Sequence, residues 1–275
     1  MTRKFRADAL VAAQGLAASA DQAARLIMAG KIATVDADGR LFPVSKPGQT
    51  LAGDARFALI GVQRFVSRGG YKLLTAIEHF KLEVRDRICL DVGASTGGFT
   101  DCLLQHGAAR VYAVDVGRAQ LHEHLRADSR VISLEGISVR LAPPDLIPEP
   151  VSLIVADVSF ISLTRVLPFC LHWLDPDGEV VALIKPQFEL GAHQIGRGVV
   201  RDPALRQLAV DTVVAACSES LELECLGVVA AAVKGPKGNQ EYLARFVPRH
   251  AAHSRHGGLR PDDRNENWDL SHRDN

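Results

Sequence analysis

The sequence predicts an α/β protein, a mostly parallel sheet covered by helices on both faces, preceded by a smaller α+β module. Three observations predict this. From residue 88 onward, apolar, β-rich runs ("RICLDVG", "RVYAVDVG", "RVISLEG", "VSLIVADVS", "EVVALIKP", "ELECLGVVAAAV") alternate with helix-like segments near 98 to 107, 118 to 127, 161 to 174 and 203 to 220. Strands separated by helices of that length must run parallel and bury both faces. The first run leads into a glycine-rich turn, "DVGASTGGFT" at 91 to 100, where a doubly wound sheet presents the carboxyl end of a strand to a ligand. Residues 5 to 60 lack that alternation and carry short runs broken by Pro and Gly.

Taken in order, Leu10, Leu16, Ala23, Leu26 and Ile27 recur at helical spacing, with Ser19 placed as an N-cap and Gly30 as a stop. "DADGR", "LFPVSKPGQTL" and "ARFALIGV" predict a polar turn and short strands, completing a module over residues 5 to 60. Residues 61 to 71 read as a linker, and Lys72 opens a helix to Phe80 whose Leu73, Ala76, Ile77 and Phe80 share one face. The large domain spans 72 to 247, and its last run, "QEYLARFV", is expected to pair antiparallel and close the sheet. Residues 248 to 275 lose periodicity and are expected to be a disordered tail in which His250, His253 and His256 are solvated rather than metal ligands.

Composition narrows the function. The apolar runs are too short or too interrupted by Asp157 to cross a bilayer, and the polar start lacks a signal-peptide core, so a cytoplasmic protein without a membrane partner is expected. Five scattered cysteines without a C-x-x-C pair suggest buried thiols, with no disulfide and no metal. The net charge of zero conceals an asymmetry: residues 1 to 87 carry 14 Lys and Arg against 8 Asp and Glu, residues 88 to 247 carry 13 against 19. A basic front end suits an anionic partner such as nucleic acid.

The glycine turn departs from the dinucleotide fingerprint. Its frame is Asp91-x-Gly93-x-x-x-Gly97-Gly98, with Ser95 at the usual middle glycine. Asp91 would repel a pyrophosphate but suits an ammonium, while the helix N-terminus near Gly98 can take a carboxylate. An amino-acid head group has both, and S-adenosylmethionine offers that head group. Asp115 ends the next strand, 24 residues on, near the offset at which an acid meets ribose hydroxyls. The cofactor-binding candidates are therefore Asp91, Gly93, Ser95, Thr96, Gly97, Gly98, Phe99, Asp115, Val116 and Asp157.

Lys72, Asp157, Lys185 and Glu241 lie on four different elements, the last three at strand ends where such sheets place their ligand crevice. A structural ion-pair set is the alternative reading. For methyl transfer to a hydroxyl, a lysine whose charge is disfavoured by a like charge and by burial can serve as general base.

The stretches "VSRGGYKL", "CLDVGASTGGFTDCLLQHGAARVYAVDVG", "DVSFISL", "LIKPQFE", "GVVRDPA" and "GPKGNQEYL" resemble, in order, the TlyA family of ribosomal RNA 2'-O-methyltransferases, also called hemolysin-like, whose catalytic domain is FtsJ-like. The resemblance implies a Rossmann-like S-adenosylmethionine-dependent methyltransferase fold and ribosomal RNA, within ribosomal subunits, as substrate. It implies a Lys-Asp-Lys-Glu tetrad at Lys72, Asp157, Lys185 and Glu241, with Lys185 as base toward a cytidine 2'-hydroxyl and Asp157 orienting it. It also implies that the front module is an S-four type RNA-binding domain. Arg3, Lys4, Arg6, Arg25, Lys31, Arg64 and Arg68 are the phosphate-contact candidates. Phe160, beside the strand end, reads as a core residue, with base stacking as the alternative. A cytolysin and a non-catalytic RNA-binding factor are the competing classes; the first lacks a segment to insert, and the intact tetrad opposes the second.

Overall fold

The computed structural model describes residues 3–61, 63–191, 194–195 and 198–255. The chain forms two compact units that meet between Arg64 and Phe65.

In the first unit, β1 (Lys4–Arg6) is followed by α1 (Ala7–Ala13), α2 (Ala20–Met28), β2 (Ile32–Val35), β3 (Leu41–Pro43), β4 (Thr50–Ala52) and β5 (Arg56–Leu59). Antiparallel strands in the order β3-β2-β5 make one small sheet, and β1 pairs with β4. Ser19 caps α2 by accepting from the Gln22 amide at 3.2 Å, and Gly30 leaves the helix at φ +67°. Ala7, Val11, Ala23, Ile27, Ile32 and Phe57 form its apolar centre.

The second unit comprises α3 (Gly69–Phe80), β6 (Ile88–Val92), α4 (Gly98–Gln105), β7 (Arg110–Asp115), α5 (Glu123–Arg126), β8 (Val131–Glu135), β9 (Val151–Ala156), β10 (Leu174–Ile184), α6 (Pro186–Glu189), α7 (Pro203–Ser220), β11 (Leu223–Ala230), β12 (Tyr242–Pro248) and α8 (Arg249–Arg255). Its seven strands lie in the order β11-β12-β10-β9-β6-β7-β8, parallel except for β12, which runs antiparallel to both of its neighbours. Alternate residues face opposite layers, as the pleat requires. Leu90, Val92, Ile154, Val180 and Ala182 pack with Val210, Val213 and Cys217 of α7. Cys89, Leu153, Val155, Val181 and Leu183 pack with Leu73 and Ala76 of α3 and Phe99 and Leu103 of α4. Burying each large side chain contributes about 1.5–3 kcal/mol.

On the far side of the sheet from the strand carboxyl ends, Glu179 accepts from Arg87 Nη2 at 2.8 Å and Arg245 Nε at 2.7 Å. Burial pushes the Glu179 carboxyl up, but the two guanidiniums overrule it and leave it below its ordinary range. All five cysteines are free thiols, and burial pushes Cys89, Cys170 and Cys217 up to about 12.

Four expectations need correction. Residues 65 to 71 are not a connector: Phe65 is buried in the second unit and α3 begins at Gly69, because Gly70 leaves room for the Phe65 ring, which a Cβ there would meet at 2.3 Å. The segment 161 to 174 holds three successive 3₁₀ turns, Pro168 lacking the amide that a continuous α-helix needs, and the helix expected at 118 to 127 shrinks to α5. The last strand pairs antiparallel as expected, but inserts between β10 and β11 rather than closing the sheet. Residues 249 to 255 of the expected tail are helical, and His250 Nε2 donates to the Pro176 carbonyl at 2.9 Å; residues 256 to 275, with His256, lie outside the described residues.

Candidate active site

Asp91 stands fourth on β6, in phase with Cys89, and so faces the layer of α3 and α4. It is fully buried; Thr100 Oγ1 of α4 donates to its Oδ2 at 2.7 Å, while Oδ1 receives no hydrogen bond. Burial lifts its carboxyl to about 7, the Thr100 bond pulls the other way, and the charges of Asp157 and Asp115 add to the rise.

The turn after β6 is tight for a stated reason. Gly93 sits at φ +85°, and a Cβ on it would lie 2.6 Å from the Asp157 carbonyl oxygen. Gly97 sits at φ +94°, where a Cβ would strike Leu125 at 2.2 Å. Gly98 begins α4 directly beneath Ser67, whose Oγ would be 2.2 Å from a Cβ there. Ser95 adopts φ +49° and its amide donates to Asp115 Oδ2 at 2.8 Å; the Gly117 amide donates to Oδ1 at 2.7 Å. Asp115 is thus fixed by backbone donors, each oxygen keeping a lone pair for a hydroxyl. The Thr96 carbonyl accepts from the His122 amide, Phe99 is buried in the α3 and α4 layer, and Val116 is exposed.

The sheet register assembles the four charged residues. β10 and β12 pair up to Ile184 and Tyr242, so Lys185 and Glu241, one step beyond, stand opposite each other. Ala156 pairs with Ala182, which puts Asp157 on the next strand, where its amide donates to the Val92 carbonyl at 2.9 Å. Lys185 Nζ reaches Asp157 Oδ1 at 2.5 Å and donates to Ser159 Oγ at 2.8 Å. Lys72, one turn into α3, donates to Glu241 Oε2 at 2.6 Å, and both are buried. Gln187 Nε2 donates to Glu241 Oε1 at 3.3 Å, and its own Oε1 is buried without a hydrogen bond. Two short ion pairs, one through each lysine, therefore sit at the carboxyl edge of the sheet, the same edge that carries the Asp91 turn.

Several participants had no signal in the sequence. Ser159 and Gln187 become visible only through their contacts with Lys185 and Glu241. Glu135, at the end of β8, accepts from the Leu121 and Gln120 amides, which hold its carboxyl below the ordinary range. Asn239, two residues before Glu241, accepts from the Val200 amide and donates to the Gly198 carbonyl, tying "GVVRDPA" to "GPKGNQEYL". Phe160 is a correction. It is 91% exposed at φ +66°, not in the core, and its ring lies 5.1 Å from that of Phe188.

Among the basic candidates, Arg3 lies over the Phe5 ring, and Arg3, Lys4 and Arg25 are exposed. Arg6 is committed to Asp8 at 2.6 Å, Lys31 donates to the Gly61 carbonyl at 2.6 Å, and Arg68 donates to the Lys234 carbonyl at 3.3 Å; Arg64 is exposed. Among the described residues no cluster of His, Cys, Asp and Glu suits a metal, and no helix is long and apolar enough to cross a membrane.

A parallel sheet with one inserted antiparallel strand, a glycine turn between two acidic strand ends, and a Lys-Asp-Lys-Glu set at the same edge define a Rossmann-like methyltransferase. Residues 65–246 match the family of FtsJ-like methyltransferases, and the chain belongs to it. It is 45% identical over 246 residues to the 16S/23S rRNA (cytidine-2'-O)-methyltransferase TlyA of Mycobacterium tuberculosis, covering 88% of this chain and 90% of that one. It is 37% identical to the protein named Hemolysin A of Brachyspira hyodysenteriae, over 88% of this chain and the whole of the other. Among solved structures, a hemolysin-named protein of Streptococcus thermophilus superimposes with a TM-score of 0.65 at 43% identity, covering 90% of this chain and 89% of that one.

Proposed function

We propose that this chain transfers a methyl group from S-adenosylmethionine to the 2'-hydroxyl of cytidine in ribosomal RNA, acting in the cytoplasm on ribosomal subunits. The observation that carries the proposal is the convergence of Lys72, Asp157, Lys185 and Glu241 into two short ion pairs at the edge that bears the Asp91 turn. The relatives named for 2'-O-methylation of ribosomal RNA support the substrate. The first unit, by its resemblance to S-four type domains, would hold the RNA through Arg3, Lys4 and Arg25, which are exposed, with Arg6, Lys31 and Arg64 as further contacts and Arg68 contributing from the second unit.

The residues present fit the cofactor. Asp91 Oδ1, buried without a donor, suits an ammonium, and Gly93 and Gly97, packed against Asp157 and Leu125, hold the turn beside it in shape. Asp115 keeps lone pairs for ribose hydroxyls, while Ser95, Thr96, Gly98, Phe99, Val116 and Asp157 would complete the surround. When bound, the sulfonium supplies an electrophilic methyl carbon.

The chain's own task is to orient the acceptor hydroxyl and receive its proton as the new C–O bond forms. Lys185 is the base. In the free protein its ammonium is held by Asp157 and Ser159, so it must pass a proton to Asp157 or to solvent before it accepts one from the hydroxyl. The Lys72–Glu241 pair adds a fixed positive charge, balanced by a carboxylate, on the neighbouring element. Phe160, an exposed aromatic ring beside that strand end, offers a stacking face to an unstacked base.

The test is transfer of tritiated methyl from S-adenosylmethionine to purified ribosomal subunits. Incorporation is expected into ribosomal RNA and not into RNA carrying 2'-deoxycytidine at the labelled position. Lys185→Ala is expected to lower turnover about 10²–10⁴-fold while retaining cofactor binding. Equal labelling of the deoxy substrate, or an unimpaired Lys185→Ala, would overturn the reading.

A further inference from the structure

The four residues that follow Lys185 form the short helix α6, and three of them grip different parts of the site. Gln187 donates to Glu241, Phe188 packs against Phe160, and the Glu189 carboxylate accepts from Ser162 Oγ at 2.5 Å and from the Leu163 amide at 3.0 Å. The loop from Asp157 to Leu163 is therefore held at both ends. At its start the Asp157 amide is bonded to β6 and its carboxylate to Lys185; at its end Glu189 holds Ser162 and Leu163.

Between those anchors the loop carries a conformation it would not adopt by itself. Phe160 lies in the left-handed region at φ +66° and leaves its ring 91% exposed. A bulky residue there is strained and persists only where its surroundings over-determine it. An apolar ring kept in water adds a further cost. The contacts that impose the conformation come from α6: the Phe188 ring beside Phe160 and the double grip of Glu189 two and three residues further on. Glu189 is itself largely buried. Burial raises its carboxyl above the ordinary range, against which the Leu163 amide and the Ser162 hydroxyl act.

We propose that Glu189 is a positioning residue for methyl transfer: by clamping Ser162 and Leu163 it keeps the 157–163 loop in the shape that gives Ser159 to Lys185 and turns Phe160 toward the acceptor nucleoside. This rests on the methyltransferase reading of the site. Glu189 contacts neither lysine of the tetrad, so it acts through the loop and not on the reacting atoms.

The experiment combines Glu189→Gln, Glu189→Ala and Phe160→Ala, singly and as the Glu189→Gln/Phe160→Ala double variant. Steady-state methylation of ribosomal subunits, calorimetric titration with S-adenosylmethionine and hydrogen exchange of residues 157 to 163 are measured for each. Glu189→Ala is expected to raise KM for RNA and lower kcat, together tenfold or more in kcat/KM, with cofactor affinity within twofold of wild type. Glu189→Gln, which keeps one acceptor oxygen, should lose less. Exchange should quicken at the amide of Leu163 and its neighbours while the sheet stays protected. Because Glu189 acts through the loop that carries Phe160, the double variant should lose no more than the worse single variant. Wild-type kinetics in Glu189→Ala, a parallel fall of cofactor binding and sheet protection, or additive losses in the double variant would each overturn the assignment. If Glu189→Ala fails to fold, Glu189→Gln decides by the same readings. A wild-type protein that transfers no methyl would undo the reading of the site, and the exchange data alone would then decide whether Glu189 holds the loop.

Discussion

Replacing Asp91 by Asn should make the protein more stable and less able to bind its cofactor, in a way that depends on pH. Asp91 is fully buried, and its carboxyl is lifted from 3.8 to about 7. At roughly 1.4 kcal/mol per pH unit, holding the ionised form costs the folded state about 4 kcal/mol. The sign follows from a folded value above the unfolded one: the neutral form is favoured on folding, so this group's contribution is intact below pH 3.8 and is lost as pH rises to about 7. Asn keeps an oxygen for Thr100 Oγ1 but buries an amide donor without an acceptor, at a cost of about 1–3 kcal/mol. The net gain of Asp91→Asn at pH 8 is therefore about 1–3 kcal/mol, vanishing or reversing near pH 4. A second unit of this size would show it as a rise in Tm of roughly 2–10 °C. The assay is thermal melting of both proteins without cofactor from pH 4 to 8, with calorimetric titration of S-adenosylmethionine at pH 8, where affinity should fall at least tenfold. A difference in Tm that does not change with pH, or undiminished cofactor binding, would refute the reasoning.

Three other outcomes follow from the same structure. Gly93→Ala places a Cβ 2.6 Å from the Asp157 carbonyl at φ +85°; loss of cofactor binding and a lower Tm are expected by calorimetry and melting. Glu179→Ala leaves Arg87 and Arg245 half-buried without their carboxylate and should destabilise by about 3–5 kcal/mol in urea titration, with methyl transfer per folded molecule unchanged. Arg3→Gln with Arg25→Gln should weaken RNA binding and flatten the slope of log affinity against log salt by about 1–2 in filter binding, leaving S-adenosylmethionine affinity as it was.

What could be read in the sequence was what repeats or breaks a local pattern. The parallel strands were legible because apolar runs recur at strand length, and Asp91, Asp157 and Lys185 because a charge at the end of such a run is out of place as mere surface. What failed depended on the partner across space. "SRGG" looked like a break, yet the glycines are there so that Phe65 and Ser67 can come close, and the helix carries on through them toward Lys72. Phe160 looked like core, since most phenylalanines are; its left-handed backbone and exposed ring are announced by no local pattern. Glu189 and Gln187 carried no local signal of their contacts, because Ser162 and Glu241 are 27 and 54 residues away from them in the chain. The place of the last strand also lay beyond local pattern: an antiparallel strand fits equally at an edge or between two parallel neighbours.

The most direct measurement is mass spectrometry of the nucleosides released from ribosomal subunits after incubation with this protein and S-adenosylmethionine carrying a trideuterated methyl group. Heavy methyl in 2'-O-methylcytidine, absent when Lys185→Ala replaces the wild type, is the result the site predicts. Heavy methyl found on a base carbon or nitrogen, or on no nucleoside, would contradict it.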